Sequence, residues 1–351
     1  MKKRKVTAAV IGLYLMAGLL LGGCGREAET QEFQQEEKIP RIGLVFDSFV
    51  IERWQRDRDT FVSRINELGG EVYVQNANGD LEKQIEQINY FIEEKMDAIV
   101  IICVDNEKLT DSVQAAKAAG IPVVAYDRLI MNAGADLFIT FNNEKVGELM
   151  AESLLDNVPE NGNIAIVFGS PVDGNVNQVE EGFYRVMQGQ KIKILDQQYA
   201  EGWLAEVGFQ VISENLKNGM EIDGICCGND DIASQVIKAL SQYRLAGDVW
   251  VVGQDADLIA CQRIVEGIQG MTVYKAVDQQ AKLAAEATYA LIMGEELATD
   301  KTFFDGTYEV PYIELEPVAV TKENMDAVIV GDNYHLKEDI YLNLEKTDTE
   351  E

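Results

Sequence analysis

Short apolar runs alternate with longer stretches whose apolar residues recur every three or four positions, and this alternation fills most of the chain. Residues 42–46, 71–75, 98–103 and 123–126 read as strands, separated by helical patterns over 51–68, 81–94 and 108–119. Gly69-Gly70 and Gly120 stand where helix C-caps belong, and Pro122 blocks any continuation of the third helix. A second series follows a strand at 138–141. It has helices at 144–155, 178–187, 204–216, 232–240 and 258–265, between strands at 164–168, 192–195, 224–227 and 249–252. Strands this short and this apolar are buried on both faces, which predicts parallel sheets with right-handed crossovers.

The remaining pattern, a helix at 279–293 and strands at 308–313 and 318–321, is too short for a third domain. It is expected to return to both lobes, with chain crossings near 140–144, 274–278 and 312–317 forming a hinge. The predicted organisation is an N-terminal lobe of residues 40–142 plus 278–312 and a C-terminal lobe of 143–277 plus 313–338. An acidic tail of 339–351 follows.

Several apolar runs end in polar clusters: Tyr-Asp127-Arg128, Gly-Asn229-Asp230, Gln-Asp255 and Val-Tyr-Lys275. Ligands of parallel sheets bind outside the carboxyl ends of the strands, so these clusters point toward one cleft. A sugar offers hydroxyls that donate and accept, and mildly apolar C–H faces. Carboxylates and amides accept, Arg and Lys donate, and an indole such as Trp54 or Trp203 covers a ring face.

At the N-terminus, Lys2-Lys3-Arg4-Lys5, an apolar stretch over 6–21 and Gly22-Gly23-Cys24 form an export signal of the lipoprotein kind. The expectation is a signal peptide of residues 1–23, lipidation at Cys24, an acidic tether of 24–39, and a folded part held outside the cytoplasm by its lipid anchor. Removing residues 1–23 takes away four positive charges and no negative ones, so the formal charge of −30 becomes −34. So acidic a surface repels phosphate backbones and anionic head groups, which argues against nucleic acid as a partner.

Besides Cys24, Cys103, Cys226, Cys227 and Cys261 lack metal-ligand spacing and are read as core residues. The chain has one histidine, His335, in a context that suggests a surface turn. Histidine-based zinc sites and Ser-His-Asp relays would rest on that residue alone, so no metal, cofactor or catalytic group is expected.

The motifs Arg53-Trp54-Gln-Arg-Asp-Arg-Asp59, Ala-Tyr-Asp127-Arg128, Asn143-Glu-Lys-Val-Gly-Glu148, Gly169-Ser-Pro-Val-Asp173-Gly-Asn175, Gly-Trp203-Leu, Gly-Gln-Asp255-Ala-Asp257 and Met-Thr-Val-Tyr-Lys275 resemble, in order, the type I periplasmic sugar-binding proteins of bacterial ABC transporters, their D-xylose branch in particular. The resemblance runs from about residue 41 to 335. It implies an α/β fold of two Rossmann-like, doubly wound parallel-sheet lobes joined by a multi-strand hinge. It also implies that Arg53, Trp54, Asp127 and Arg128 from the first lobe grip an aldopentose, together with Asp173, Asn175, Trp203, Asn229 and Asp255 from the second. Lys275 would act from a hinge crossing. Ribose binders tend to carry an amide where Lys275 stands, so the lysine favours xylose. Asn142 departs from the branch, which has Asp there, and its place at the hinge suggests an effect on closure.

Taken singly, these residues have plainer readings: Asp127-Arg128 a structural ion pair, Asn229 a helix cap, Trp203 core, Lys275 an exposed strand end. Arg56, Asp57, Arg58 and Asp59 are read as a solvated helix face and excluded from the site. The resemblance implies a monomeric receptor that delivers its sugar to a membrane permease. The alternative is a subunit that presents the loaded form to a membrane histidine kinase. A glycosidase using Asp127 and Asp255 is disfavoured, because neighbouring Arg53, Arg128 and Lys275 would hold both carboxylates ionised. A promoter-binding regulator is excluded by export and the lack of a basic headpiece.

Overall fold

The computed structural model describes residues 38–344. The expected signal peptide, Cys24, nearly all of the tether and the end of the acidic tail lie outside the described residues. The first series contains β1 (Arg41–Phe46), α1 (Arg53–Glu67), β2 (Glu71–Asn76), α2 (Leu81–Glu93), β3 (Ala98–Ile101), α3 (Thr110–Ala118), β4 (Val123–Tyr126) and β5 (Leu137–Phe141). The second contains α4 (Asn143–Asn157), β6 (Asn163–Phe168), α5 (Gly174–Met187), β7 (Lys193–Tyr199), α6 (Glu206–Lys217), β8 (Gly224–Cys227), α7 (Asp230–Gln242), β9 (Trp250–Gln254), α8 (Leu258–Glu266) and β10 (Met271–Tyr274). The chain ends with α9 (Val277–Met293), β11 (Thr302–Phe304), β12 (Glu309–Leu315), β13 (Val318–Val320) and α10 (Lys337–Ile340).

Two sheets result, ordered β11-β12-β5-β4-β3-β1-β2 and β13-β10-β9-β8-β6-β7. Pairing is parallel except at one edge of each, where β11 joins β12 and β13 joins β10 antiparallel. Both faces of the first sheet are covered. On β3, Ala98 and Val100 enter one apolar cluster with Phe61 and Ile65 of α1, while Ile99 and Ile101 enter another with Ile88 and Phe91 of α2. That two-sided burial is why the run reads as continuously apolar.

Three chain crossings join the sheets: β5 to α4, β10 to α9 and β12 to β13. Asn142 lies on the first, where its backbone N–H donates to Leu315 O on the third at 2.9 Å and its side chain caps α4 by accepting from Lys145 N. Two helices begin earlier than their apolar pattern indicates, because Asp173 and Asn229 supply N-caps ahead of the first apolar residue. Strand β7 runs on past residue 195 through polar, half-buried positions, as an edge strand does. Asp339 and Ile340, expected in the tail, close α10, and Ile340 is buried.

Helices α4 and α5 meet backbone to backbone. A Cβ on Gly147 would lie 1.9 Å from Val179 O, and one on Gly182 would lie 1.9 Å from Glu144 O. Only residues without a side chain permit that crossing. It fixes the first turns of both helices, which carry Asn143 and Asn175. The four described cysteines are buried and unpaired, as core residues should be. Among the described residues, no helix is long and apolar enough to cross a membrane, and no cluster of three His, Cys, Asp or Glu side chains is arranged to hold a metal.

Candidate binding site

The carboxyl ends of both sheets face one cavity. Its lining takes in Arg53, Trp54, Asp127, Arg128, Asp173, Asn175, Trp203, Asp255 and Lys275. Nine of the ten residues singled out in the sequence are thus brought together. Asn229 lies outside the lining: it is buried at the start of α7, where its Oδ1 accepts from Ile232 N at 2.9 Å. The lining also includes Asn143, Phe168 and Gln254, which sequence reasoning had not assigned. Gln254 was within reach of that reasoning, as the last residue of β9 and the neighbour of Asp255.

Arg53 opens α1 and points its guanidinium between two carboxylates. Its Nε and Nη2 donate to the two carboxylate oxygens of Asp57 at 3.1 and 2.9 Å, and Nη2 lies 3.1 Å from Asp127 Oδ2. The helical i, i+4 spacing sets Asp57 on the same face. Asp57 is 1% exposed and also accepts from Tyr126 Oη, so its assignment to a solvated face is corrected. Arg56 is corrected likewise. It forms a two-point pair with Asp278 of α9 and lies 4.2 Å from the centre of the Tyr334 ring, whereas Arg58 pairs locally with Asp59.

Arg128 ties the lobes together. Its Nη1 donates to Asp47 Oδ2 at 2.7 Å and to Cys103 O at 3.0 Å, and its Nε lies 2.6 Å from Asp173 Oδ2 in the other lobe. A second tie runs from Asn175 Nδ2 to Asp127 O and Oδ1, both at 3.1 Å. Asp173 caps α5 through Asn175 N and accepts from Trp203 Nε1 at 3.2 Å. The Trp203 ring lies against Gly169, where a Cβ would come within 2.2 Å of it. The Arg53 and Arg128 guanidinium carbons lie 4.5 and 5.5 Å from the Trp54 ring centre. Asp127, Trp203 and Asp255 all have positive φ, at 63°, 59° and 98°, a conformation that residues with a side chain adopt at a cost.

Burial pushes the Asp127 carboxyl up, but Arg53, Lys275 and Arg128 outweigh it and hold the group below the usual carboxylate range. Burial raises Asp173, with Arg128 opposing. Both arginines stay charged: burial works against them, yet the carboxylates around them raise their pKa values. Asp127 is therefore a fixed acceptor and is not poised to release a proton.

Six buried side-chain polar atoms among the described residues receive no hydrogen bond from the protein, and four of them belong to cavity residues. Trp54 Nε1 is a donor and Gln254 Oε1 an acceptor. Arg128 Nε and Asp255 Oδ1 have ion partners, Asp173 and Lys275 at 2.6 and 2.7 Å, in approaches too oblique for hydrogen bonds. Donors and acceptors in equal number suit hydroxyl groups, which do both.

Behind Asp255, Asp230 is fully buried and accepts from Thr272 Oγ1 at 2.7 Å, Gln269 Nε2 at 2.8 Å and Asp257 N at 3.2 Å. Burial raises its carboxyl above the usual carboxylate range, and that of its neighbour Asp257 with it. A carboxyl raised in the folded state stabilises fully below its unfolded value and loses that contribution as pH rises through the folded value. The urea midpoint of the wild type should therefore fall more between pH 5 and 8 than that of Asp230→Asn. Equal falls would show that Asp230 does not titrate there. His335 closes an exposed turn, as its context suggests, but its ring is half-buried, with Nε2 2.8 Å from Ala256 O.

A family model described as a periplasmic binding protein domain matches residues 42–296. The chain belongs to this family of periplasmic binding proteins. The D-xylose-binding periplasmic protein of Haemophilus influenzae is 42% identical to this binding protein over 306 residues, 86% of the chain and 92% of the relative. The D-xylose-binding periplasmic protein of Escherichia coli is 40% identical over 308 residues, 86% and 93% of the two chains. An ABC transporter solute binding protein from Clostridium phytofermentans, crystallised with bound β-D-glucose, superposes with a TM-score of 0.78 at 25% identity, covering 86% of this chain and 99% of that one. A carbohydrate transporter solute binding protein from Chloroflexus aurantiacus, in complex with D-glucose, gives 0.78 at 26% identity over 85% and 97%. The family is one of substrate-binding proteins.

Proposed function

We propose that this chain is an extracytoplasmic receptor, tethered by lipid at Cys24, that captures D-xylose between its lobes and delivers it unchanged to an ABC permease. The observation that carries the reading is the cavity itself. Buried donors and acceptors from both lobes, with no hydrogen bond from the protein, converge there beside two indoles. The 40–42% identity to two D-xylose-binding proteins supports the choice of sugar.

Contacts from both lobes exist together only in the shut form, so a sugar shifts the hinge equilibrium by its difference in affinity for the two states. In this reading Asp127, Asn175, Gln254 and Asp255 accept from sugar hydroxyls, and Asn175 and Gln254 also have amides that donate. Arg53, Arg128 and Lys275 donate, and Trp54 and Trp203 flank the ring. Hydrogen bonds to charged groups contribute roughly 1.5–3 kcal/mol each, enough for micromolar or tighter binding after ordering costs.

A thermal-shift panel of monosaccharides, followed by calorimetry, tests the proposal. D-xylose at 100 times its Kd should stabilise the protein by about 2.7 kcal/mol, while released product from xylosides stays at background. A panel in which no pentose raises the midpoint would end the xylose reading. In the parent cell, the tether predicts that the protein fractionates with membranes and carries a lipid at Cys24.

A further inference from the structure

Gln280 lies in the first turns of α9, the helix that follows the crossing after β10, and is completely buried. The two ends of its amide meet opposite charges. Oε1 accepts from Arg53 Nη2 at 2.8 Å, and Nε2 donates to Asp127 Oδ2 at 3.2 Å and to Ile139 O at 3.3 Å. A carboxylate there would satisfy Arg53 and repel Asp127. An ammonium would do the reverse, and an apolar side chain would serve neither. A neutral group with both a donor and an acceptor fits the place.

We infer that Gln280 is a positioning residue, which sets the separation and orientation of the Arg53–Asp127 pair and through that pair the affinity for sugar. It does not line the cavity, so it acts only through these two neighbours. The inference rests on the proposed reading that the pair faces a sugar. The other charged or titratable groups around the pair are Asp57 and Tyr126 beside Arg53, Arg128, Lys275 and Asp173 acting on Asp127, and Asp255 and Tyr334 acting on Arg53. Among them only Tyr126 is neutral with both a donor and an acceptor in direct contact with this cluster, and its hydroxyl donates to Asp57, not to the Arg53–Asp127 pair.

The test titrates wild type, Gln280→Met and Gln280→Glu with D-xylose by calorimetry from pH 5 to pH 8. Gln280→Met should bind at least tenfold more weakly at every pH. Gln280→Glu should be as weak at pH 8 and recover toward wild type at pH 5, because a protonated carboxyl again offers one donor and one acceptor. A glutamine that only filled space would give no such recovery, and wild-type affinity in both variants would overturn the inference. Should Gln280→Met fail to fold, the pH series on Gln280→Glu decides alone. Should the wild type bind no sugar, the ligand reading fails, and the Arg53 Nε–H resonance then decides. It should move or broaden in the variants if Gln280 positions Arg53, and an unmoved resonance would overturn the inference.

Discussion

Replacing Gly182 by alanine is expected to lower stability by about 3 kcal/mol or more, since overpacking costs about 1–3 kcal/mol even where side chains can adjust. Here the atom in the way is the carbonyl oxygen of Glu144, at 1.9 Å from the new Cβ, and it belongs to a helix backbone. Relief requires α4 and α5 to move apart. Asn143 stands at the start of α4, and Asp173 and Asn175 at the start of α5, so the same displacement loosens the cavity wall. The midpoint of thermal unfolding should fall by about 6 °C or more, and weaker D-xylose binding should accompany it. A variant that melts within a degree of the wild type would mean that the helices do not cross as closely as described.

Arg128→Ala is expected to have the largest effect on binding. The guanidinium faces Asp47 in its own lobe and Asp173 in the other, so its loss leaves two buried carboxylates without their cation. Breaking a buried pair in this way costs about 3–5 kcal/mol, and the lost hydrogen bonds to sugar should lower affinity at least tenfold. The stability deficit should shrink on acidification. Burial already raises the Asp173 carboxyl, and without Arg128 it rises further, so protonation favours the folded variant at low pH. Undiminished xylose affinity in a folded variant would remove Arg128 from the site.

Much of the cavity was legible because its residues follow directly from strand ends. Asp127, Asp255 and Lys275 each come just after an apolar run, and a parallel sheet gathers such positions at one edge. What escaped depends on packing between distant segments. Asp57 sits among charged neighbours in the sequence, and only the packing of α1 against Tyr126 at the end of β4 turns its face inward. A closer reading had a clue, because consecutive helical residues point about 100° apart and Arg56, Asp57, Arg58 and Asp59 cannot share one solvated face. Gln280 lies 227 positions from Arg53, and no local pattern connects them. For Asn229 the local pattern was the better guide: its side chain caps α7, as Asn before a helix commonly does. Strand β11 escaped because three half-exposed or exposed residues give almost no periodicity.

The indole nitrogen of Trp54 and the amide oxygen of Gln254 have a consequence for traffic at the membrane. Shut around nothing, the protein would forgo hydrogen bonds at both, a penalty of roughly 1–3 kcal/mol apiece. In the proposed receptor that penalty would weigh against the shut form without sugar, so fewer idle molecules would pass for loaded ones and a transporter that recognised the shut shape would waste less ATP.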